Sequence, residues 1–212
     1  MKVLATGFDP FGGESINPSW EAVRQLPDWI AGAEIRKARL RTAARAAEET
    51  IQTLMREEAP QIVLCVGQAG GRFGVTPERV ALNLDDFRIP DNDGDQPVDT
   101  PIFEDGAPAL FSNLPVKSMV QAIRIAGYPA SLSDSAGTFV CNHVMYTILY
   151  HIAKEFPAMR GGFLHVPFVP SQVVERPSTP SMSLPDIRAA LEIAIAAAVA
   201  AYDGRQTGAP LS

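Results

Sequence analysis

Residues 43–67 read AARAAEETIQTLMREEAPQIVLCVG, and two patterns meet within them. Residues 43–58 have the composition and apolar spacing of an amphipathic helix that ends near Pro60. Residues 61–67 are a short apolar run stopped by glycine, the pattern of a strand buried on both faces. A helix that delivers the chain into such a strand is one unit of an α/β fold whose sheet is covered on both sides.

The alternation continues outward. KVLATGF at residues 2–8 predicts a strand, and Asn17-Pro18-Ser19 supplies an N-cap and a first-turn proline for a helix through WEAVRQL. EIRKARL, ERVALNL, PASLS and GGFLHVPFV predict further strands. VKSMVQAIRIAG predicts a helix closed by Gly127, another helix begins near Cys141, and a final one starts near Leu184 with Ser183 as cap and Pro185 in its first turn. The expected architecture is a single-domain, three-layer α/β/α sandwich with a mainly parallel, mixed sheet. It spans residues 1–212, with residues 205–212 as a frayed tail. Residues 85–110, rich in Asp, Pro and Gly, read as a long loop of the functional or disordered kind.

A chain of 212 residues, 46% hydrophobic, supports one substantial core. A net charge of −6 and the absence of any Lys/Arg block exclude a nucleic-acid partner. The apolar start before Gly7 is too short for a signal peptide, and no run approaches the ~18 apolar residues of a membrane helix. The expected setting is cytoplasmic with no membrane partner, where the two cysteines are free thiols.

Cys65 lies in an apolar strand pattern and reads as a small buried hydrophobe. Cys141 follows Gly137 and Thr138 at the start of a helical run, where unpaired N–H groups favour a thiolate and can bind an oxyanion. Position alone leaves nucleophile and packing residue both open for it. Of the three histidines, His143 is two residues from Cys141 on the same helix, where i and i+2 diverge. His151 lies ten positions along, about 15 Å away at 1.5 Å per residue. His165, near the carboxyl end of the next strand, is the remaining base, since ligands of open α/β sheets bind at that edge. An acid should orient its ring, and spacing does not choose among Glu78, Asp85, Asp86 and Asp91.

Seven blocks in order, TGFDPFGG, NPSWEAV, CVGQAGGR, TPERVALN, RIPDNDGDQP, SAGTFVCNH and GGFLHVPF, resemble the pyrrolidone carboxyl peptidases, also called pyroglutamyl peptidase type I. The resemblance covers nearly the whole chain. It implies a cysteine exopeptidase that removes N-terminal pyroglutamate through a thioester acyl-enzyme, with Cys141 as nucleophile, His165 as base and Glu78 as the orienting acid. It also implies no metal or organic cofactor, and a homo-oligomer, commonly a tetramer. Phe8, Phe11, Thr42, Gln68, Phe139 and Val140 match substrate-pocket positions, and Arg88 matches an arginine that supports the oxyanion. Arg88 also suits a loop-anchoring ion pair with an aspartate. The partner implied is a peptide whose first residue is a closed lactam, recognised by apolar walls and a few hydrogen bonds rather than by a counter-ion.

Two residues depart from the family pattern: Phe87 stands where alanine is common, and Arg41 replaces a proline before Thr42. Two rival readings accompany this one. GQAGGR after an apolar strand suits an anion-binding transferase that uses Arg72, although it lacks the established phosphate-loop spacings. A non-catalytic oligomeric binding protein is the other.

Overall fold

The computed structural model describes residues 1–204. Its strands are Lys2–Phe8 (β1), Trp29–Ile30 (β2), Ala33–Leu40 (β3), Ile62–Gln68 (β4), Thr76–Pro77 (β5), Val80–Leu82 (β6), Ala109–Phe111 (β7) and Arg160–Val166 (β8). Its α-helices are Pro18–Val23 (α1), Ala44–Glu58 (α2), Val116–Ile125 (α3), Val140–Lys154 (α4) and Leu184–Tyr202 (α5).

Six strands form the main sheet in the order β2-β3-β1-β4-β8-β5. The central pairs β1–β3, β1–β4 and β4–β8 are parallel, and the outer strands β2 and β5 pair antiparallel. Every residue of β4 is buried, as its apolar run requires. Alternation sorts its side chains between two cores. Ile62, Leu64 and Val66 join Val3, Ala5, Leu164 and Val166 under α1, α3 and α5. Val63 and Cys65 join Leu4, Phe8 and Phe163 under α2 and α4. The mainly parallel three-layer sandwich is the architecture expected; residues 205–212, read as a frayed tail, lie outside the described residues.

Three local expectations are corrected. ERVALNL is strand only at Val80–Leu82, which pairs with β7 in a separate two-stranded sheet, while Thr76–Pro77 just before it pairs with β8. PASLS makes only the single bridges Val75–Ala130 and Glu78–Ser133, because Pro77, which stands between them on the facing segment, has no N–H to donate to Ser131 O. The helix predicted through WEAVRQL ends as α1 at Val23 and continues as turns, Gln25 N–H to Ala22 O and Leu26 N–H to Val23 O. β2, β5 and β7 escape the sequence reading; β2 forms with β3 a hairpin whose two loop residues, Ala31 (φ 51°) and Gly32 (φ 83°), are both left-handed, as a two-residue hairpin loop of the mirror-image type demands.

The loop of residues 85–110 is ordered by polar contacts in place of a ladder. Buried Asp91 accepts from the Asp93 and Asp95 N–H groups through Oδ1. Its Oδ2 accepts from Ala44 N–H at 2.9 Å. Asp91 therefore caps α2, whose own N-cap position is the alanine Ala43 and has no capping side chain.

His143 on α4 ties this loop to α2. Its Nδ1 meets Asp85 Oδ2 at 2.8 Å and its Nε2 meets Glu48 Oε2 at 3.0 Å. Burial opposes the charge on the ring, but the two carboxylate hydrogen bonds outweigh it and raise the pKa to about 9. The imidazolium therefore adds stability in full below its unfolded value of about 6.5, and that stability is lost as pH rises through about 9. Glu48, held below the usual carboxylate range by the same bond, adds stability above that range and loses it as pH falls through its lowered value. His143→Gln is expected to cost about 3 kcal/mol at pH 7, since it leaves buried carboxylates without their cation. Urea denaturation across pH checks this: the gap between the two proteins should close above pH 9, and a gap independent of pH would remove the imidazolium from the account.

Candidate active site

The carboxyl ends of β4 and β8 meet the start of α4. Gly67 on β4 is in register with His165 on β8, so their side-chain directions share the face that carries Phe163. A methyl group at Gly67 would stand 2.8 Å from Cys141 Sγ and 2.8 Å from the Phe163 ring. The sulfur therefore lies over Gly67, whose backbone is one strand spacing of about 4.8 Å from that of His165, on the sheet face to which the His165 side chain also points. The Phe163 and His165 ring centroids are 4.9 Å apart.

Cys141 is the second residue of α4. Phe139, at the N-cap, offers no side-chain cap, and the first helical N–H with a backbone acceptor is that of His143, to Phe139 O at 3.1 Å. The N–H groups of Val140, Cys141 and Asn142 thus project from the helix end beside the sulfur. Asn142 fixes that end: its amide accepts from Leu82 N–H at 2.9 Å and donates to Leu82 O at 2.9 Å and Leu84 O at 3.0 Å. Nothing in the residue spacing marked Asn142 for this role.

His165 Nδ1 lies 2.7 Å from Glu78 Oε1. Burial opposes ionisation of Glu78, yet the His165 hydrogen bond outweighs it and lowers the carboxyl's pKa. An ionised carboxylate only accepts, so Nδ1 carries the proton and Nε2 presents a lone pair. Burial lowers the His165 pKa against the opposing pull of Glu78. Glu78 Oε2 is buried and accepts no hydrogen bond among the described residues. The Ser133 hydroxyl, within 3.2 Å of Ser135 O, lies beside the carboxylate and helps hold it ionised when its proton turns toward Glu78 instead.

The thiolate expected from the helix end is not the resting state. Burial pushes the Cys141 thiol up to about 12, and the Glu78 charge adds to this while Arg72 opposes it. Cys65, wholly buried, is pushed up to about 12 by burial alone among its raising causes and reads as the packing residue expected.

The remaining positions divide between open wall and support. Phe11 and Phe139 are partly exposed with ring centroids 6.0 Å apart, and Phe87 packs edge-on against Phe139 at 4.7 Å. Phe8 is buried and lies 6.1 Å from Phe163, beneath the site. Val140 is buried in the core under α4. Thr42 donates to Asp9 through both N–H (2.6 Å) and Oγ1 (2.9 Å), holding the β1–α1 loop. Buried Gln68 accepts from Gln172 Nε2 at 2.9 Å. Arg88 is exposed and has no ion pair among the described residues. The loop-anchoring role weighed for it is filled by Arg41, which pairs with Asp93 at 2.6 Å and donates to Asn92 O at 3.0 Å. Arg72, the cation on which an anion-binding reading of GQAGGR depends, is committed to Glu78 at 2.7 Å and to the Thr76 hydroxyl.

The pyroglutamyl peptidase family model matches residues 1–201. A pyrrolidone-carboxylate peptidase of Clostridium botulinum is 56% identical over 199 residues, 94% of this chain and 93% of that one. The pyrrolidone-carboxylate peptidase 1 of Streptococcus pneumoniae is 57% identical over the same shares. Among solved structures, pyroglutamyl peptidase I of Bacillus amyloliquefaciens superposes with a TM-score of 0.91 at 47% identity, covering 94% of this chain and 97% of its own. The pyrrolidone carboxyl peptidase of Thermococcus litoralis superposes with a TM-score of 0.95 at 36% identity, covering 99% of each. With a family match over nearly the full length, relatives above half identity, and the sulfur, imidazole and carboxylate at one sheet edge, the chain belongs to the pyroglutamyl peptidase family.

Proposed function

We propose that this protein hydrolyses the N-terminal pyroglutamyl (5-oxoprolyl) group from peptides, with Cys141 as nucleophile, His165 as general base and acid, and Glu78 orienting His165. The observation that carries the reading is the His165 Nδ1–Glu78 Oε1 bond at 2.7 Å beside a sulfur seated over Gly67. As Sγ attacks the pyroglutamyl carbonyl carbon, its proton passes to His165 Nε2, and the carbonyl electrons move onto an oxyanion facing the free N–H groups of α4. The imidazolium returns that proton to the departing amine as the C–N bond breaks, leaving a thioester. Water, deprotonated by His165, then attacks the thioester and releases pyroglutamate and the thiol. Burial disfavours the Cys141 thiolate, so in this cycle ionisation accompanies attack.

Phe11 and Phe139, with Phe87 behind, form a flat apolar wall for the uncharged ring. Arg88, exposed and without an ion pair among the described residues, is the cation that completes oxyanion support. Free thiols at Cys65 and Cys141 suit a cytoplasmic, reducing setting. Exposed Trp29, Phe73, Phe111 and Ile125 supply surface for the homotetramer, which light scattering checks.

A coumarin-amide reporter series tests the activity. The pyroglutamyl reporter should be cleaved at least about 100-fold faster than the prolyl one, whose protonated ring nitrogen would enter the apolar pocket unpaired. Equal rates would overturn the substrate reading. The acid limb of kcat/KM should lie below the ordinary imidazole value of about 6.5, because burial lowers the His165 pKa.

A further inference from the structure

GQAGGR, set aside as an anion loop, ends in a side chain that reaches the proposed triad from behind. Arg72 Nη1 donates to Glu78 Oε1 at 2.7 Å, the same oxygen that accepts from His165 Nδ1 at 2.7 Å. The same nitrogen donates to Thr76 Oγ1, which in turn donates to the His165 backbone oxygen at 3.5 Å. Thr76 and His165 are register partners across β5 and β8. One guanidinium nitrogen, with its two hydrogens, thus holds both the carboxylate that orients the imidazole and a hydroxyl hung from that histidine's own backbone.

Glu78 is 0% exposed and Arg72 25%. The arginine is therefore the link between a buried anion and solvent. Its other face lines a groove of about 460 Å³ with Phe73, Pro129, Leu132 and Ser133. A cation so placed acts on all three members of the proposed triad. It favours ionised Glu78, disfavours imidazolium at His165 and favours thiolate at Cys141.

We propose that Arg72 is a positioning residue of this enzyme, holding Glu78 Oε1 in place as the acceptor that orients the His165 ring. The inference rests on the Cys141–His165–Glu78 reading and adds a fourth group that touches neither substrate nor the reacting atoms.

Three variants, Arg72→Met, Arg72→Gln and Arg72→Lys, separate this from a structural brace. Each is assayed for kcat and KM with the pyroglutamyl reporter across pH. The iodoacetamide alkylation rate at Cys141 is followed in parallel, in a Cys65→Ala background. The neutral variants should lose about 30-fold in kcat with KM within about threefold. Their kcat/KM acid limb and alkylation midpoint should both move up by about one pH unit. Arg72→Lys, which keeps the charge, should hold both midpoints near wild type and recover most of kcat. A neutral variant, Met or Gln, whichever folds, that melts at lower temperature yet keeps wild-type kcat and both midpoints would overturn the proposal. Failure of the parent reading has a different signature: alkylation of wild-type Cys141 that leaves turnover intact removes the triad and this inference together.

Discussion

Cys141→Ala lowers kcat for pyroglutamyl-amide hydrolysis by at least about 10⁴-fold in the expected result, because without the sulfur no acyl-enzyme forms and only oriented water remains. The substitution should leave the fold intact. Cys141 is partly exposed at the edge of the core under α2 and α4, and its sulfur sits over Gly67, so its loss leaves a small gap at the site mouth rather than in the centre of the core. Cys65→Ala is the internal control. It deletes a sulfur from a wholly buried strand position and should cost about 1–2 kcal/mol of stability. Its kcat should stay within about threefold of wild type, since a thiol pushed up to about 12 with no imidazole beside it takes no part in proton transfer. The two thiols share nearly the same raised pKa, so what separates them is a neighbour that can accept the proton. Reporter kinetics and thermal melts of both variants check the pair. A folded Cys141→Ala protein that turns over normally would falsify the nucleophile assignment.

What could be read from the chain follows from how far each signal reaches along it. β4, α2, α4 and α5 were legible because each carries its own evidence: a wholly apolar run, an amphipathic period, a small-residue entry, and Ser183, whose side chain accepts from Asp186 N–H. The hairpin of β2 and β3 was not, because two residues of strand are too few to alternate. The cap of α2 was hidden for a different reason. Local sequence offers only Ala43, and the acceptor, Asp91, comes from 47 positions downstream. The site divides in the same way. Cys141 and His165 could be proposed from their places at a helix start and a strand end. The choice of Glu78 among four acids needed the family resemblance, because its selection depends on β5 pairing antiparallel with β8, a long-range fact. Arg72 needed the coordinates altogether. Its glycine-rich context suggested an anion outside the protein, whereas the anion it holds is Glu78 of its own chain. The departures at Phe87 and Arg41 become intelligible at the same level: one backs the Phe139 wall and the other pins the loop through Asp93.

Glu78→Gln should lower kcat by about 10²–10³-fold, and the physical content lies in the accompanying shifts. The amide oxygen can keep both hydrogen bonds that Oε1 now accepts, from His165 Nδ1 and from Arg72 Nη1, so orientation and tautomer survive. What disappears is the charge that stabilises the imidazolium formed when Sγ gives up its proton. Glu78 is the group that raises the proton affinity of His165 and, through its charge, that of Cys141. Its neutralisation should therefore move the acid limb of kcat/KM and the Cys141 alkylation midpoint to lower pH, opposite to the direction set out for neutral variants of Arg72. The thiol should become easier to ionise while the enzyme becomes slower, because the proposed cycle depends on the imidazolium as acid toward the leaving amine as well as on the thiolate. Arg72, left without its buried counter-ion, should cost about 3 kcal/mol of stability, visible in a urea melt. Joining the two neutralisations in Glu78→Gln/Arg72→Met should return the midpoints toward wild type and recover part of that stability, while kcat stays low. Midpoints that move the same way in both single variants would mean that the two residues do not act on the imidazole as a charge pair.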